Sequence, residues 1–317
     1  MPDAPLAARR SVEDRPVRIV SARPTLIHRL RSIWSSRELL LYFVITDIKI
    51  KYKSSALGMV WSLLSPTLTL GIYWLVFGLL LKNGIPNFVV FLFAGLMVWN
   101  LFANIVVTST GIIVDRAGVV KKVAFPREIL ALSTVGTALI YFAMQAVIMV
   151  IFMLATGQSP DWGLIWLLPI SIIAVSLMAG AIGVFLSAVN VYLRDTKHLI
   201  EVLMQLWFYL TPIVYSFEAK VSFTLHRHSI LWIYFLNPVT PIVMTFQKVL
   251  FNNNVVHSTI GTGPPTHLTY PVLKVLPTWP WTTYLELNLV LLAGGIVGMI
   301  VAITIFGRLE GNFAEEL

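Results

Sequence analysis

Cysteine is absent from this chain of 317 residues, which excludes disulfides, thiolate metal sites and cysteine nucleophiles together. Charge is scarce. Asp, Glu, Lys and Arg make up 12% of the residues, against about 25% in a soluble domain. With 57% hydrophobic residues and a mean hydropathy of +0.81, most of the surface must face something other than water. No GxxxxGK(S/T) phosphate loop and no HExxH motif occurs, so ATP hydrolysis and zinc-protease chemistry by those routes lie outside this chain. His28, His198, His226, His228, His257 and His267 all lie outside the apolar runs. His226 and His228 are close, but two histidines without a third ligand do not amount to a metal site.

What the chain does contain is six apolar runs, at about 56–81, 88–113, 129–155, 163–190, 199–217 and 284–306. A membrane helix needs roughly 20 residues, so one membrane domain uses almost all of the length. The first four runs hold no Asp, Glu, Lys or Arg, while Glu201 and Glu286 stand near the starts of the last two. Ion-coupled transport needs ionisable relays at membrane depth, and a small-ion channel needs rings of charge or carbonyls. Neither is visible, so the energy source is expected on a partner. Eighteen of the 23 Lys and Arg precede the first run or lie in 114–128, in 191–198 or at the C-terminus. The other side has Lys82, Lys220, Arg227, Lys248 and Lys274. This bias places both termini in the cytoplasm and reads the net charge of +8 as membrane topology rather than nucleic-acid contact.

Several segments are neither span nor plain loop. Residues 1–34 hold seven Arg and four Pro and read as a disordered cytoplasmic tail able to meet anionic lipid. Residues 35–54 read as an amphipathic helix at the membrane interface. Ser35 and Glu38 fit a capping box, Leu40, Leu41, Val44, Ile45, Ile48 and Tyr52 recur at helical spacing, and Asp47 and Lys51 form an i,i+4 pair. Residues 55–307 form the six-span domain, and 308–317 a cytoplasmic C-terminus. Within that domain, 115–127 is a short basic loop whose Val119, Val120, Val123 and Phe125 suit either docking on a soluble partner or contact with lipid. Residues 229–251 are apolar but broken by Asn237, Pro238 and Pro241, leaving halves too short to cross. They read as a re-entrant hairpin dipping in from outside, beside a pathway. Residues 252–283, polar and proline-rich, read as an external loop.

No catalytic group stands out. Asp161, Glu218 and Glu286 are scattered and share no spacing. Aromatic residues are more suggestive: Trp61, Tyr73, Trp74, Phe77, Trp99, Phe102, Trp207, Tyr209 and Tyr215 populate spans and span ends. Helix packing and interfacial belts account for many of them. An aromatic, uncharged lining would also let a sugar polymer slide.

Taken in order, six segments resemble one family: RELLLYFVITDIKIKYKSSALGMVWSLLSPTLTLGIYWLVFG (37–78), FAGLMVWNLF (93–102), VVKKVAFPREILAL (119–132), LSAVNVYLRDTKHLI (186–200), LWFYLTPIVY (206–215) and LNPVTPIV (236–243). They are similar to the permease subunit of type-2 ATP-binding-cassette exporters of O-antigen, teichoic acid, capsule and related polymers. The resemblance covers about residues 37–307. It implies an all-α polytopic fold with six transmembrane helices, an amphipathic interface helix and periplasmic re-entrant gate helices before the last span. It also implies that two permeases pair with two nucleotide-binding ATPase subunits, which hold the ATP and Mg, and that the substrate is an undecaprenyl-diphosphate-linked glycan. Val119, Val120, Lys121, Lys122, Phe125, Pro126 and Arg127 would then lie in the coupling segment. Lys49, Lys51 and Lys53 would meet the lipid diphosphate, and Asn237, Pro238 and Pro241 would form the gate. A membrane enzyme of envelope glycan assembly, or the same transporter type with a small-molecule or lipid substrate, stays open as an alternative.

Overall fold

The computed structural model describes residues 26–53, 55, 57–58, 60–80, 85, 87–217, 234–252, 255–257 and 272–317. In chain order the helices are α1 (Leu26–Ser35), α2 (Arg37–Tyr52), α3 (Val60–Leu80), α4 (Phe88–Asp115), α5 (Ala117–Val120), α6 (Glu128–Thr156), α7 (Leu167–Tyr192), α8 (Thr196–Leu210), α9 (Val239–Phe251) and α10 (Trp281–Leu309). A last turn follows at Phe313–Glu316, and a short antiparallel ribbon pairs β1 (Val255–His257) with β2 (Val272–Lys274) between α9 and α10. The fold is that of an all-α polytopic membrane protein. Among the described residues, α3, α4, α6, α7 and α10 are long and apolar enough to cross a membrane.

α4 is the axis of the bundle. Its apolar residues are buried on nearly all sides, because α6, α7 and α9 pack around it. Close approach depends on small residues, as is usual between helices in lipid. At the α4–α7 crossing, a Cβ on Gly183 would lie 2.5 Å from the Ser109 Cβ. At the α7–α10 crossing, a Cβ on Gly295 would lie 3.1 Å from the Leu177 Cβ and from the Met178 nitrogen. α7 and α10 run parallel: Trp166 meets Trp281 at one end, and the Tyr192 hydroxyl donates to the Leu309 carbonyl at the other (2.7 Å).

Basic segments far apart in sequence gather at one end of the bundle. Arg29 donates to the carboxylates of Glu128 and Glu310 and to the Gly307 carbonyl. Arg127 donates to the Glu310 carbonyl (2.9 Å), Arg194 to that of Glu316 (3.3 Å), and Lys197 pairs with Asp115 (3.2 Å). Part of the segment read as a disordered tail is therefore α1, and the reason is Arg29, which docks it. The expected capping box does not form. Ser36 forms the turn between α1 and α2, and the Ser35 hydroxyl donates back to the Ser32 carbonyl (2.9 Å) instead of capping α2. Asp47 does not pair with Lys51 either. It faces the bundle and takes Arg116 as its partner.

The run 199–217 differs from a single helix. α8 ends at Leu210, because Thr211 precedes Pro212: proline forces its predecessor out of the helical region, and Thr211 is extended at φ −101°, ψ 136°. The chain continues as buried non-helical backbone through Ile213 and Val214 to Phe217. α9, at 13 residues about 20 Å long, is also too short to span. Its first turn lies near Trp207 of α8, its middle has Phe246 against Phe142 at mid-α6, and its end has Phe251 against Phe91 near the start of α4. Every residue of α9 except Lys248 is buried. Asn288 of α10, itself buried, donates to Thr245 (2.8 Å) and accepts from Ser171 (2.8 Å), tying α9 to α10 and α7.

Removing the Arg29 guanidinium would leave the carboxylate of Glu128, 1% exposed, without its cation. Arg29→Ala is expected to cost about 3–5 kcal/mol. Adding Glu128→Gln should recover part of the loss. Thermal unfolding in detergent, followed by tryptophan fluorescence, checks both.

A polar groove along the bundle as the candidate functional site

Three helices carry lines of neutral polar side chains spaced by three and four residues, which puts each line on one face. α3 carries Ser62, Ser65, Thr69 and Tyr73; α4 carries Asn100, Asn104 and Thr108; α6 carries Thr134, Thr137, Tyr141 and Gln145. The end of α2 adds Asp47, Lys51 and Tyr52, and α8 adds Gln205 and Tyr209.

These lines surround a groove of three connected chambers. The inner chamber, about 190 Å³, is walled by Asp47, Lys51, Asn104, Thr108, Ile112, Thr134, Thr137 and Tyr141. The middle one, about 350 Å³, shares Lys51, Asn104 and Tyr141 and adds Tyr52, Trp61, Ser62, Ser65, Pro66, Thr69, Asn100 and Gln145. The outer one, about 340 Å³, shares Thr69 and Asn100 and adds Tyr73, Leu96, Trp99, Met204, Gln205, Phe208 and Tyr209. Asn100 donates to Gln145 across the middle (3.1 Å). The Ser62 hydroxyl, buried in the same chamber, has no hydrogen-bond partner among the described residues. The wall as a whole offers hydroxyls, amides and ring faces, with Asp47 and Lys51 at its inner end.

One cation enters from outside the spans. α2 climbs along α6, with Phe43 against Phe125, the Val44 side chain beside Gly136, and the Lys51 ammonium 4.2 Å from the Tyr141 ring centre. Tyr141 is thirteen residues beyond Glu128, about 20 Å along the helix. Burial lowers the Lys51 pKa from its ordinary value, while the ring offers a cation–π contact. Asp47, one turn earlier, is already engaged by Arg116, so Lys51 has no carboxylate partner among the described residues. Lys49, Lys51 and Lys53 are all exposed, but of the three Lys51 alone lines the groove.

The other expected site residues divide. Trp61, Tyr73, Trp99 and Tyr209 line the groove; Tyr73 stacks on Phe208 at 5.7 Å and 26°. Phe102 is fully buried and packs edge-on against Trp207 at 5.2 Å, behind the outer chamber. Trp74 and Phe77 sit in the wider π-helical coil that ends α3, and Phe77 packs against Tyr73. The Tyr215 hydroxyl donates to the Tyr209 carbonyl (3.1 Å) and is in contact with that of Tyr234.

At the break before α9, Asn237 uses both ends of its amide. Its oxygen accepts from Trp207 Nε1 (2.8 Å) and from the Val239 amide (3.1 Å), and its nitrogen donates to the Thr211 hydroxyl (2.9 Å). Pro238 opens α9, and Pro241 lies in its first turn, where a missing N–H costs little. At the basic end, α5 is a single turn. Val119, Lys121, Lys122 and Val123 point outward. Val120 is buried, Phe125 packs on Phe43, Arg127 is held by Glu310, and Pro126 leads into α6.

Residues 38–251, two thirds of the chain, match the ABC-2 type transporter family. The chain belongs to that family. The matched region runs from the start of α2 to the end of α9 and contains the whole groove. This ABC-2 transporter chain is 31% identical to the O-antigen export system permease protein RfbA of Myxococcus xanthus over 230 residues, 73% of this chain and 86% of that one. It is 29% identical over 283 residues to a protein of the same name from Klebsiella pneumoniae, 88% of this chain and 95% of the relative.

Asn100, Asn104, Thr137, Tyr141 and Gln145 escape a scan for charged residues. The three-and-four spacing of neutral polar side chains inside otherwise apolar runs is the signal that finds them. Of the isolated carboxylates, Asp161 accepts from the Gly163 amide in a turn (3.2 Å), Glu286 is exposed on α10, and Glu218 lies outside the described residues.

The natural lack of cysteine makes the groove directly testable. Asn104→Cys and Thr137→Cys are expected to react with a water-soluble maleimide in membranes. Val147→Cys and Val150→Cys, exposed on another face of α6, are expected to stay unlabelled in lipid. Mass spectrometry of the labelled chain reads the difference.

Proposed function

We propose that this chain is the membrane-spanning subunit of an ATP-driven exporter that moves an undecaprenyl-diphosphate-linked polysaccharide across the bacterial inner membrane, with both termini in the cytoplasm. The observation that carries this reading is the groove: adjoining chambers open along one side, walled by aromatic rings and neutral polar groups with one aspartate and one lysine. Ring faces accept the C–H faces of sugars, and hydroxyls and amides exchange weak hydrogen bonds with sugar hydroxyls, so a polymer can slide without a deep energy well. The relatives' role in O-antigen export supports the same substrate class.

In this reading a second copy of the chain covers the open side of the groove. Lys51 meets the diphosphate as the lipid head enters at the basic end, while Lys49 and Lys53 attract it from the headgroup layer. The 115–127 loop docks on a nucleotide-binding ATPase, which holds the ATP and Mg. Val119, Lys121, Lys122 and Val123 make that contact, and Val120, Phe125, Pro126 and Arg127 anchor the loop from behind. α9 and the segment before it act as the re-entrant gate at the far end, with Asn237, Pro238 and Pro241 at its turning point.

The decisive measurement is co-purification in mild detergent from the chain's own cells, with ATP hydrolysis assayed on the eluate. An ATPase is expected to accompany the chain and to be lost when residues 119–125 are replaced by a Gly/Ser loop. A chain that elutes without a nucleotide-binding protein refutes the exporter reading. In cells, Lys51→Met is expected to lower surface glycan more than Lys49→Met or Lys53→Met; equal losses would remove the special place given to Lys51.

A further inference from the structure

We infer that the Asp115–Lys197 ion pair makes α8 a lever, which carries movement of the 115–127 loop to the Trp207–Asn237 contact at the foot of α9. The inference rests on the reading that this loop meets an ATPase.

Asp115 and Arg116 are neighbours that pull in two directions. Arg116 bonds to Asp47 and lies over the Phe43 ring at 4.9 Å, which fixes the loop to α2. The Asp115 carboxylate, on the last residue of α4 where the loop begins, is 3.2 Å from the Lys197 ammonium, which ties the root of the loop to the first turn of α8. The pair sits over Gly111, where a Cβ would come 2.9 Å from both Asp115 Oδ2 and Lys197 Nζ. The Lys197 amide also donates to Asn190 Oδ1 (3.1 Å), which holds the root of α8 against α7.

Beyond its root, α8 is lightly attached. Of its fifteen residues only Ile200, Met204 and Phe208 are buried, one line at i, i+4, i+8. A helix held along a single stripe can tilt at low cost, because few apolar contacts must be broken. Its far end reaches two parts of the pathway at once. Phe208 stacks on Tyr73 and packs on Trp99, both walls of the outer chamber. Trp207 donates to Asn237, which also holds Thr211 and the first amide of α9. A tilt imposed at Lys197 therefore reshapes the outer chamber and pulls on α9 together.

Stability does not explain the pair. Asp115 and Lys197 are 54% and 34% exposed, and exposed ion pairs add little to folding. Loss of the pair should leave a folded subunit whose two ends no longer move together.

The test uses the complex of this chain with its co-purifying ATPase, together with glycan export in cells. Lys197→Met is expected to keep the parental amount of folded protein and the parental rate of ATP hydrolysis. Export is expected to fall about tenfold, within the range of ordinary coupling between sites. The exchanged pair D115K/K197E is expected to restore export. Parental export by K197M overturns the lever, as does loss of hydrolysis in step with export. An exchanged pair that stays inactive at parental membrane levels also overturns it. An unsubstituted chain that captures no ATPase overturns the exporter reading, and the lever with it.

Discussion

In lipid every backbone N–H and C=O must find a partner within the protein, and the unusual parts of this structure are arranged to meet that demand. An unbroken helix meets it alone, as α4, α6, α7 and α10 do. The described residues 211–217 and 234–252 do not. Their extended stretch is buried in protein, and Gln247 of α9 donates to the freed Pro212 carbonyl (3.0 Å). The last carbonyls of α9 are satisfied by the turn joining α6 to α7: the Asp161 amide donates to Val249 (2.8 Å), and the Gln158 side chain to Phe251. Breaks in two helices are affordable only because they were placed against each other, with Asn237 between them.

The two ends of the bundle are built from different chemistry. The basic end is held by charge: Arg29, Glu128, Glu310 and Arg127 bring α1, the exit of the 115–127 loop and the C-terminal turn into one cluster. The opposite end is held by aromatic packing around Phe217, with Tyr234, Phe235 and Trp279 in contact. Between them lies a groove whose walls mix aromatic rings with neutral polar groups, with Asp47 and Lys51 at its inner end. Charge next to the headgroup layer keeps part of its hydration, whereas rings suit a segment that must pack without it.

Much of this was legible in the sequence, and the failures have physical causes. The apolar runs locate α3, α4, α6, α7 and α10 within a few residues, because a bilayer sets their length. The end of α8 was legible in principle, since Thr211-Pro212 states it, but the apolar run continues past the break and hides it. The helix at 26–35 was obscured by an Arg-rich composition that resembles disorder; only contact with Glu128 and Glu310, far away in sequence, gives it a place. The groove was half legible. Trp61, Tyr73, Trp99 and Tyr209 were expected, while the amides and hydroxyls were passed over because they carry no charge. Lys51 shows the limit most clearly: spans free of cations do not make a groove free of cations when a neighbouring helix can supply one.

The enclosure of α9 also dictates an order of construction. Thirteen residues cannot be handed to the bilayer as a span, and the partners of α9 lie on both sides of it in sequence: Gln158 and Asp161 are made before it, Asn288 after it. While the ribosome is still adding α10, the half-helix has only part of its socket. Its docking therefore completes the fold rather than starting it, because it waits for α10 to supply Asn288. The groove, lined by residues between Asp47 and Tyr209, is complete in sequence before α9 has its full socket.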